Sequence, residues 1–307
     1  MALGRWMLEP VGRLQMEERW VQVDGHRMYC LTAGEGPELI LVHGLLGTAS
    51  TWEPVIPRLA QESTVYAIDA LGIGESERVL GIDATLTAQA DRVVAFMDSS
   101  DIRSADFLAT SHGGAVVLTL ASKYPARVKR LLLHAPANPF SHLGDPLINF
   151  YLSGLGIWFA NRIAGLPESM QALALGRMYG DPSHLQDGSL RKYIGSLRVP
   201  GTVDYVLSIL RTWFDDMTAL QVALQQVHHI PALLIWGDRD RAVALQSAED
   251  LRRYFDQAEL EILPGAGHLP YEECPETLAR IVNSFLVRMR GKADKGPQLV
   301  HSQVRLA

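Results

Sequence analysis

Ala109-Thr110-Ser111-His112-Gly113-Gly114 stands between the strand-like run from Ala105 to Leu108 and the helix-like run Ala115-Val116-Val117-Leu118-Thr119-Leu120. The order is strand, very tight turn, helix, with a serine at the tip. A serine on such a turn projects its hydroxyl away from both neighbours. Positions 109 and 113 must be small, because the two backbones approach closely there. The free N–H groups and the dipole at the start of the helix favour negative charge beside Ser111 and His112. This reading makes Ser111 a nucleophile. The pattern departs from G-x-S-x-G at Ala109, which adds one methyl where smallness is the requirement. A small-residue turn with an incidental serine is the competing reading, and only the surrounding sequence separates the two.

Three further sites supply that context. Leu39-Ile40-Leu41-Val42 is a short buried-strand run ending in His43-Gly44-Leu45-Leu46-Gly47. Acyl transfer needs two donors to hold an oxyanion. One is the N–H of the residue after the nucleophile, His112; the other comes from a loop after an early strand, here Leu45. Gly44 and Gly47 are expected to permit the unusual backbone that points this N–H inward. Ala232-Leu233-Leu234-Ile235-Trp236-Gly237 reads as a strand started by Pro231 and followed by Asp238-Arg239-Asp240. Either carboxylate can orient an imidazole while the other caps the turn. Finally, Glu261-Ile262-Leu263-Pro264-Gly265-Ala266-Gly267-His268 ends a strand in a glycine loop bearing one histidine. The order Ser…Asp…His, each residue at a strand end, is the chain order of one particular fold.

Together these residues resemble the α/β-hydrolase superfamily. The matching segments are His43-Gly44, Asp69-Ala70-Leu71-Gly72-Ile73-Gly74-Glu75-Ser76, the turn at Ser111, Trp236-Gly237-Asp238-Arg239-Asp240 and Gly267-His268, and the similarity spans roughly residues 18 to 290. The resemblance implies an α/β fold: a mostly parallel central sheet with helices on both faces and an inserted helical cap. In the family's G-x-x-D pattern the acid is the last position, which selects Asp240. The implied triad is Ser111, Asp240 and His268, with the backbone N–H groups of Leu45 and His112 as oxyanion hole and no metal or organic cofactor. Epoxide hydrolases and haloalkane dehalogenases of the family use an aspartate nucleophile, so serine at 111 argues against both.

Composition agrees with one globular enzyme. The 307 residues suffice for a large core plus an insertion. Hydrophobic residues make up 48% and charged residues 20%, which excludes a disordered chain. The net charge is −6 and the basic residues are scattered, so nothing resembles a nucleic-acid footprint. Cys30 and Cys274 lie too far apart in sequence for a disulfide framework or a metal spacing. Met1 to Glu18 lacks the apolar core of a signal peptide, so a cytoplasmic location is expected.

Asp24-Gly25 predicts a hairpin between Trp20–Val23 and Met28–Leu31. Strands are expected at 39–42, 65–69, 105–110, 130–134, 232–236 and 259–263. Helices are expected at about 52–61, 85–99, 112–123, 246–254 and 275–290. Such alternation implies a parallel sheet with its active site at the carboxyl ends of the strands. The alternation fails from Asn138 to about His229, where only helices are expected, at about 145–164, 168–178, 189–197 and 201–226. This divides the chain into a core of residues 1–139 and 229–307 and a cap of residues 140–228. The first cap helix is apolar on nearly all sides, yet Asn149, Ser153, Asn161 and Arg162 interrupt it, which argues against stable membrane insertion. A lid packed on both sides is expected, with one face lining a cavity for a small to medium apolar substrate.

The expected activity is hydrolysis of carboxylic esters in the manner of a carboxylesterase or lipase. A C–C bond hydrolase acting on dienoates, a lactonase and a cofactor-free haloperoxidase are alternatives on the same residues. A non-catalytic ligand-binding receptor is a distant one. A C–C hydrolase needs a cation for its substrate's carboxylate, for which the cap offers Arg162, Arg177, Arg191 and Arg198.

Overall fold

The computed structural model describes residues 15–186 and 188–294. Expectations for residues 1–14 and 295–307 lie outside the described residues. The chain forms strands β1 (Glu17–Val23), β2 (His26–Ala33), β3 (Glu38–Val42), β4 (Thr64–Ile68), β5 (Ala105–Thr110), β6 (Val128–His134), β7 (Ala232–Gly237) and β8 (Ala258–Leu263). The core helices are α1 (Ile56–Leu59), α2 (Leu86–Ser99) and α3 (Ser111–Lys123). Between β6 and β7 follow α4 (Asp145–Leu152), α5 (Gly154–Ala160), α6 (Glu168–Gly176), α7 (Ser189–Leu197) and α8 (Thr202–Ala223). The core resumes with α9 (Ser247–Arg252), α10 (Pro270–Glu273) and α11 (Pro275–Asp294).

The strands make one eight-stranded sheet in the order β1-β2-β4-β3-β5-β6-β7-β8. β1 and β2 pair antiparallel around Asp24 and Gly25, both at positive φ, and β2 pairs antiparallel with β4. All remaining pairings are parallel. All six residues of β5, and all six of β7, are buried, as a sheet covered on both faces requires. The one charge inside β5 is compensated: Asp106 Oδ1 and Oδ2 accept from Arg130 and Arg290, each at 2.9 Å. That pairing anchors α11 to the end of the sheet opposite the carboxyl ends. Removing one partner of such a buried set typically costs about 3–5 kcal/mol.

Two helix expectations change. The segment 52–61 forms only the short α1, with Pro57 in its first turn, where the missing N–H is tolerated; a helix begun at 52 would carry that proline in its interior. The segment 145–164 is two helices rather than one. Ser153 turns extended (ψ 157°), and its Oγ caps α5 by accepting the Gly156 N–H at 3.1 Å. The insertion is also not packed on both sides: Leu147, Phe150, Leu155 and Trp158 face outward. Among the described residues no helix is long and apolar enough to cross a membrane.

Candidate active site

Ser111 is the first residue of α3 and takes a φ of +50°, a region that side chains other than glycine rarely occupy. The strain follows from the reversal between β5 and α3, and the surrounding contacts hold it. The Ser111 carbonyl accepts the Ala137 N–H at 2.8 Å. Gly113 lies so close to the backbone of Val42 and His43 that a Cβ there would collide with both carbonyls. Smallness at 113 is therefore imposed by β3 as well as by the turn itself. The His112 N–H lies in the first turn of α3, where backbone donors have no partner inside the helix.

The loop after β3 brings Leu45 to the same end of the sheet. Neither Gly44 nor Gly47, expected to permit an unusual backbone, is at positive φ. They serve close approach instead. A Cβ on Gly44 would stand 3.2 Å from Ser111 Cβ, and one on Gly47 would stand 3.1 Å from His43 Cβ. The loop is braced by the His43 ring, whose side chain the sequence reading overlooked. Its Nδ1 donates to the Gly44 carbonyl at 2.7 Å and its Nε2 accepts the Ala70 N–H at 3.1 Å. Burial pushes His43 down to about 4, so it stays neutral in this role. Asp69 braces the far side. Its Oδ1 accepts the Ala49 N–H at 2.5 Å and its Oδ2 the Glu75 N–H at 2.7 Å. Burial pushes this carboxyl up to about 7 against those two donors.

Asp240 and His268 come together at the ends of β7 and β8. His268 Nδ1 lies 2.7 Å from Asp240 Oδ2, and both side chains are buried. Asp240 Oδ1 accepts the N–H groups of Ala242 and Val243 at 2.7 and 3.0 Å. Burial raises the Asp240 carboxyl, but the His268 imidazole and the Val243 N–H outweigh it and hold the group below the usual carboxylate range. The Trp236 indole donates to the Val243 carbonyl at 3.1 Å and locks the same turn. Asp238 points elsewhere: it is exposed and its Oδ1 accepts the Gly265 N–H at 2.7 Å. Beneath the pair, His134 packs with its ring centre 5.8 Å from that of His268, and its Nδ1 meets Thr110 Oγ1 at 2.8 Å. Burial, with the nearby His268, pushes His134 down to about 3.

The inserted helices close over this end of the sheet. A cavity of about 30 Å³ beside the loop after β3 is lined by His43, Leu45, Gln89, Arg92, His112, Tyr205 and Ile209, among others. Trp213 of α8 stacks on the His112 ring at 6.1 Å and packs against the cluster of Ile73, Ala84, Tyr205 and Ile209, as Leu45 does. Trp158 does not line the site: it is 52% exposed, with the Arg162 guanidinium 4.3 Å over its ring. Arg162, Arg177, Arg191 and Arg198 are all exposed.

Residues 37–275 match the family model described as alpha/beta hydrolase fold. A dihydrolipoyllysine-residue acetyltransferase component of an acetoin cleaving system from Pseudomonas putida is 32% identical over 270 residues, covering 87% of this chain and 66% of that protein. A 2-hydroxymuconate semialdehyde hydrolase from Pseudomonas sp. strain CF600 is 27% identical over 83% of this chain and 88% of its own length. A pimeloyl-[acyl-carrier protein] methyl ester esterase from Nitrosomonas europaea is 27% identical over 80% of this chain and 94% of its own. The matched span runs from β3 to the loop of His268 and so takes in every strand end that bears a candidate residue: the chain belongs to the α/β-hydrolase-fold family.

Proposed function

We propose that the protein is a serine hydrolase that cleaves carboxylic esters of small to medium apolar substrates through an acyl-enzyme. The observation that carries this reading is the buried 2.7 Å contact between His268 Nδ1 and Asp240 Oδ2 at the end of the sheet that also bears the Ser111 turn. With Nδ1 donating to the carboxylate, the neutral imidazole leaves Nε2 free to accept a proton. His268 takes the Ser111 proton as Ser111 attacks the substrate carbonyl, and Asp240 stabilises the imidazolium. The N–H groups of Leu45 and His112 hold the developing oxyanion, each worth about 2.7–4 kcal/mol by analogy with single-donor losses. His268 then protonates the departing alcohol, and water repeats the cycle on the acyl-enzyme. The residues around Leu45, Ile209 and Trp213 offer apolar contact to the substrate.

The C–C hydrolase reading draws on the 2-hydroxymuconate semialdehyde hydrolase relative. All four cap arginines are exposed, so they offer this reading no support, although Arg92 of the core lines the cavity and is a cation within its wall. The ester reading draws likewise on the methyl ester esterase relative. The test is a panel of p-nitrophenyl esters of increasing chain length beside one dienoate, with the parent and Ser111→Ala. Ester turnover in the parent and its loss in the folded variant are expected. Turnover of the dienoate alone would replace the ester reading with the C–C one. Activity of Ser111→Ala within tenfold of the parent would remove Ser111 as nucleophile.

A further inference from the structure

The His268 loop is held from the inserted segment rather than from the core alone. The His268 N–H donates to the Met178 carbonyl at 2.7 Å. Gly267 and Gly180 stand backbone against backbone. A Cβ on Gly267 would strike Gly180 N and the Met178 carbonyl, and a Cβ on Gly180 would strike the Gly265 carbonyl. Two N–H groups in this junction converge on one side chain. Glu273 Oε1 accepts the Gly267 N–H and Glu273 Oε2 accepts the Gly180 N–H, each at 2.8 Å. One carboxylate thus joins the residue before His268 to Gly180, which lies 93 positions before Glu273 itself. The next residue reinforces the join: buried Glu272 Oε2 accepts from Tyr179 Oη and Ser189 Oγ, both at 2.5 Å.

A glycine-rich loop bearing a general base is mobile unless tied down, and reaction geometry tolerates displacement of only about 0.5 Å. We infer that Glu273 is a positioning residue: its carboxylate ties the inserted segment to the His268 loop, so the insertion sets where the general base stands. This rests on the reading of His268 as general base given above. It also widens the insertion's role beyond shaping the substrate cavity. Glu273 touches no reacting atom and acts only through His268.

The test is Glu273→Gln, which keeps the volume but turns an NH2 group toward one of the two N–H donors. For p-nitrophenyl acetate, kcat should fall roughly ten- to a hundredfold, the scale of a small misplacement of a catalytic group, while KM stays within about twofold. Rates are normalised to sites titrated with an organophosphonate, so loss of folded protein does not count. Amide hydrogen exchange should quicken together in the peptides spanning 177–182 and 264–269. Parental kcat in Glu273→Gln, with exchange in the two peptides unchanged, would overturn the inference. If that variant does not fold, Glu273→Asp decides: its charge remains but its reach is shorter, and parental kcat there would overturn it equally. If neither variant folds, Glu273 is a folding determinant and the positioning role is wrong. If the parent hydrolyses no ester and the phosphonate does not label Ser111, the triad reading has failed. The exchange experiment then judges the tie alone, and unchanged or uncoupled exchange in the two peptides sinks it.

Discussion

Asp240 Oδ2 and His268 Nδ1 meet at 2.7 Å, although 28 residues separate them and Asp238 offers a second carboxylate on the same turn. The backbone decides between the two acids. The N–H groups of Ala242 and Val243 hold Asp240 Oδ1 and turn Oδ2 toward the imidazole, while Asp238 is spent on Gly265.

Asp240→Asn should therefore cut turnover far more than Asp238→Asn. Asparagine preserves the size but cannot stabilise the imidazolium and can enforce the wrong tautomer, a change worth about 10⁴ in the serine-protease template. Asp238→Asn should lose no more than one exposed hydrogen bond, about 0.5–1.5 kcal/mol of stability. Steady-state kinetics of both variants on one p-nitrophenyl ester compare them directly. The reverse ranking would move the acid to Asp238.

Trp213→Ala and Trp158→Ala should behave differently. Trp213 faces the His112 ring and packs against the cluster that holds Tyr205 and Ile209 of the cavity lining, whereas Trp158 is 52% exposed beneath Arg162. Removing the Trp213 indole should raise kcat/KM for hexanoate relative to acetate roughly tenfold, the scale of a pocket enlarged by a methylene or more. The chain-length profile of Trp158→Ala should match the parent. Thermal melts accompany both, and a folded Trp213→Ala with a parental profile would remove Trp213 from the cavity wall.

Asp69→Asn should destabilise the fold. The carboxylate accepts two backbone N–H groups, from Ala49 and Glu75, and the amide of asparagine can accept only one of them. A buried donor left unpaired costs about 1–3 kcal/mol. Urea unfolding of the variant measures the loss, and a midpoint equal to the parent's would contradict the bracing role.

Acid should weaken the fold while ordinary carboxylates are still ionised, because three buried rings outweigh Asp69, whose carboxyl burial lifts to about 7 and which works in the opposite direction. Burial pushes His43 down to about 4 and His112 and His134 down to about 3. In the unfolded chain each would titrate near 6.5, so between that value and the folded one the unfolded state binds the extra proton. The stability these neutral rings contribute is full above about pH 6.5 and drains away below it, at up to about 1.4 kcal/mol per pH unit for each ring. Melting temperatures followed from pH 8 to pH 5 should fall on the acid side, and His43→Gln should soften the decline. A flat profile over that range would mean that the three rings do not remain neutral in the fold.

Local chemistry made much of this protein legible in its sequence. The Asp24-Gly25 hairpin, the strand ends, the Ser111 turn and the order Ser…Asp…His each depend on residues within a few positions of one another, and pattern records such dependence. The parallel sheet followed from the alternation of strands and helices. The residues on that turn left Asp238 and Asp240 open and only the family resemblance chose Asp240; the tertiary structure supplies the reason, with Ala242 and Val243 holding Asp240 and Gly265 holding Asp238. It alone broke the first inserted helix at Ser153, since Gly156 packs directly on the Phe150 backbone. It alone turned Trp158 outward and Trp213 inward, and it gave His43 its hold on Ala70 and Glu273 its hold on Gly180. The contacts of Trp213 with His112, of His43 with Ala70 and of Glu273 with Gly180 join residues tens of positions apart, so no local pattern carries them; they exist only once the sheet has brought its strand ends, and the helices above them, to one place.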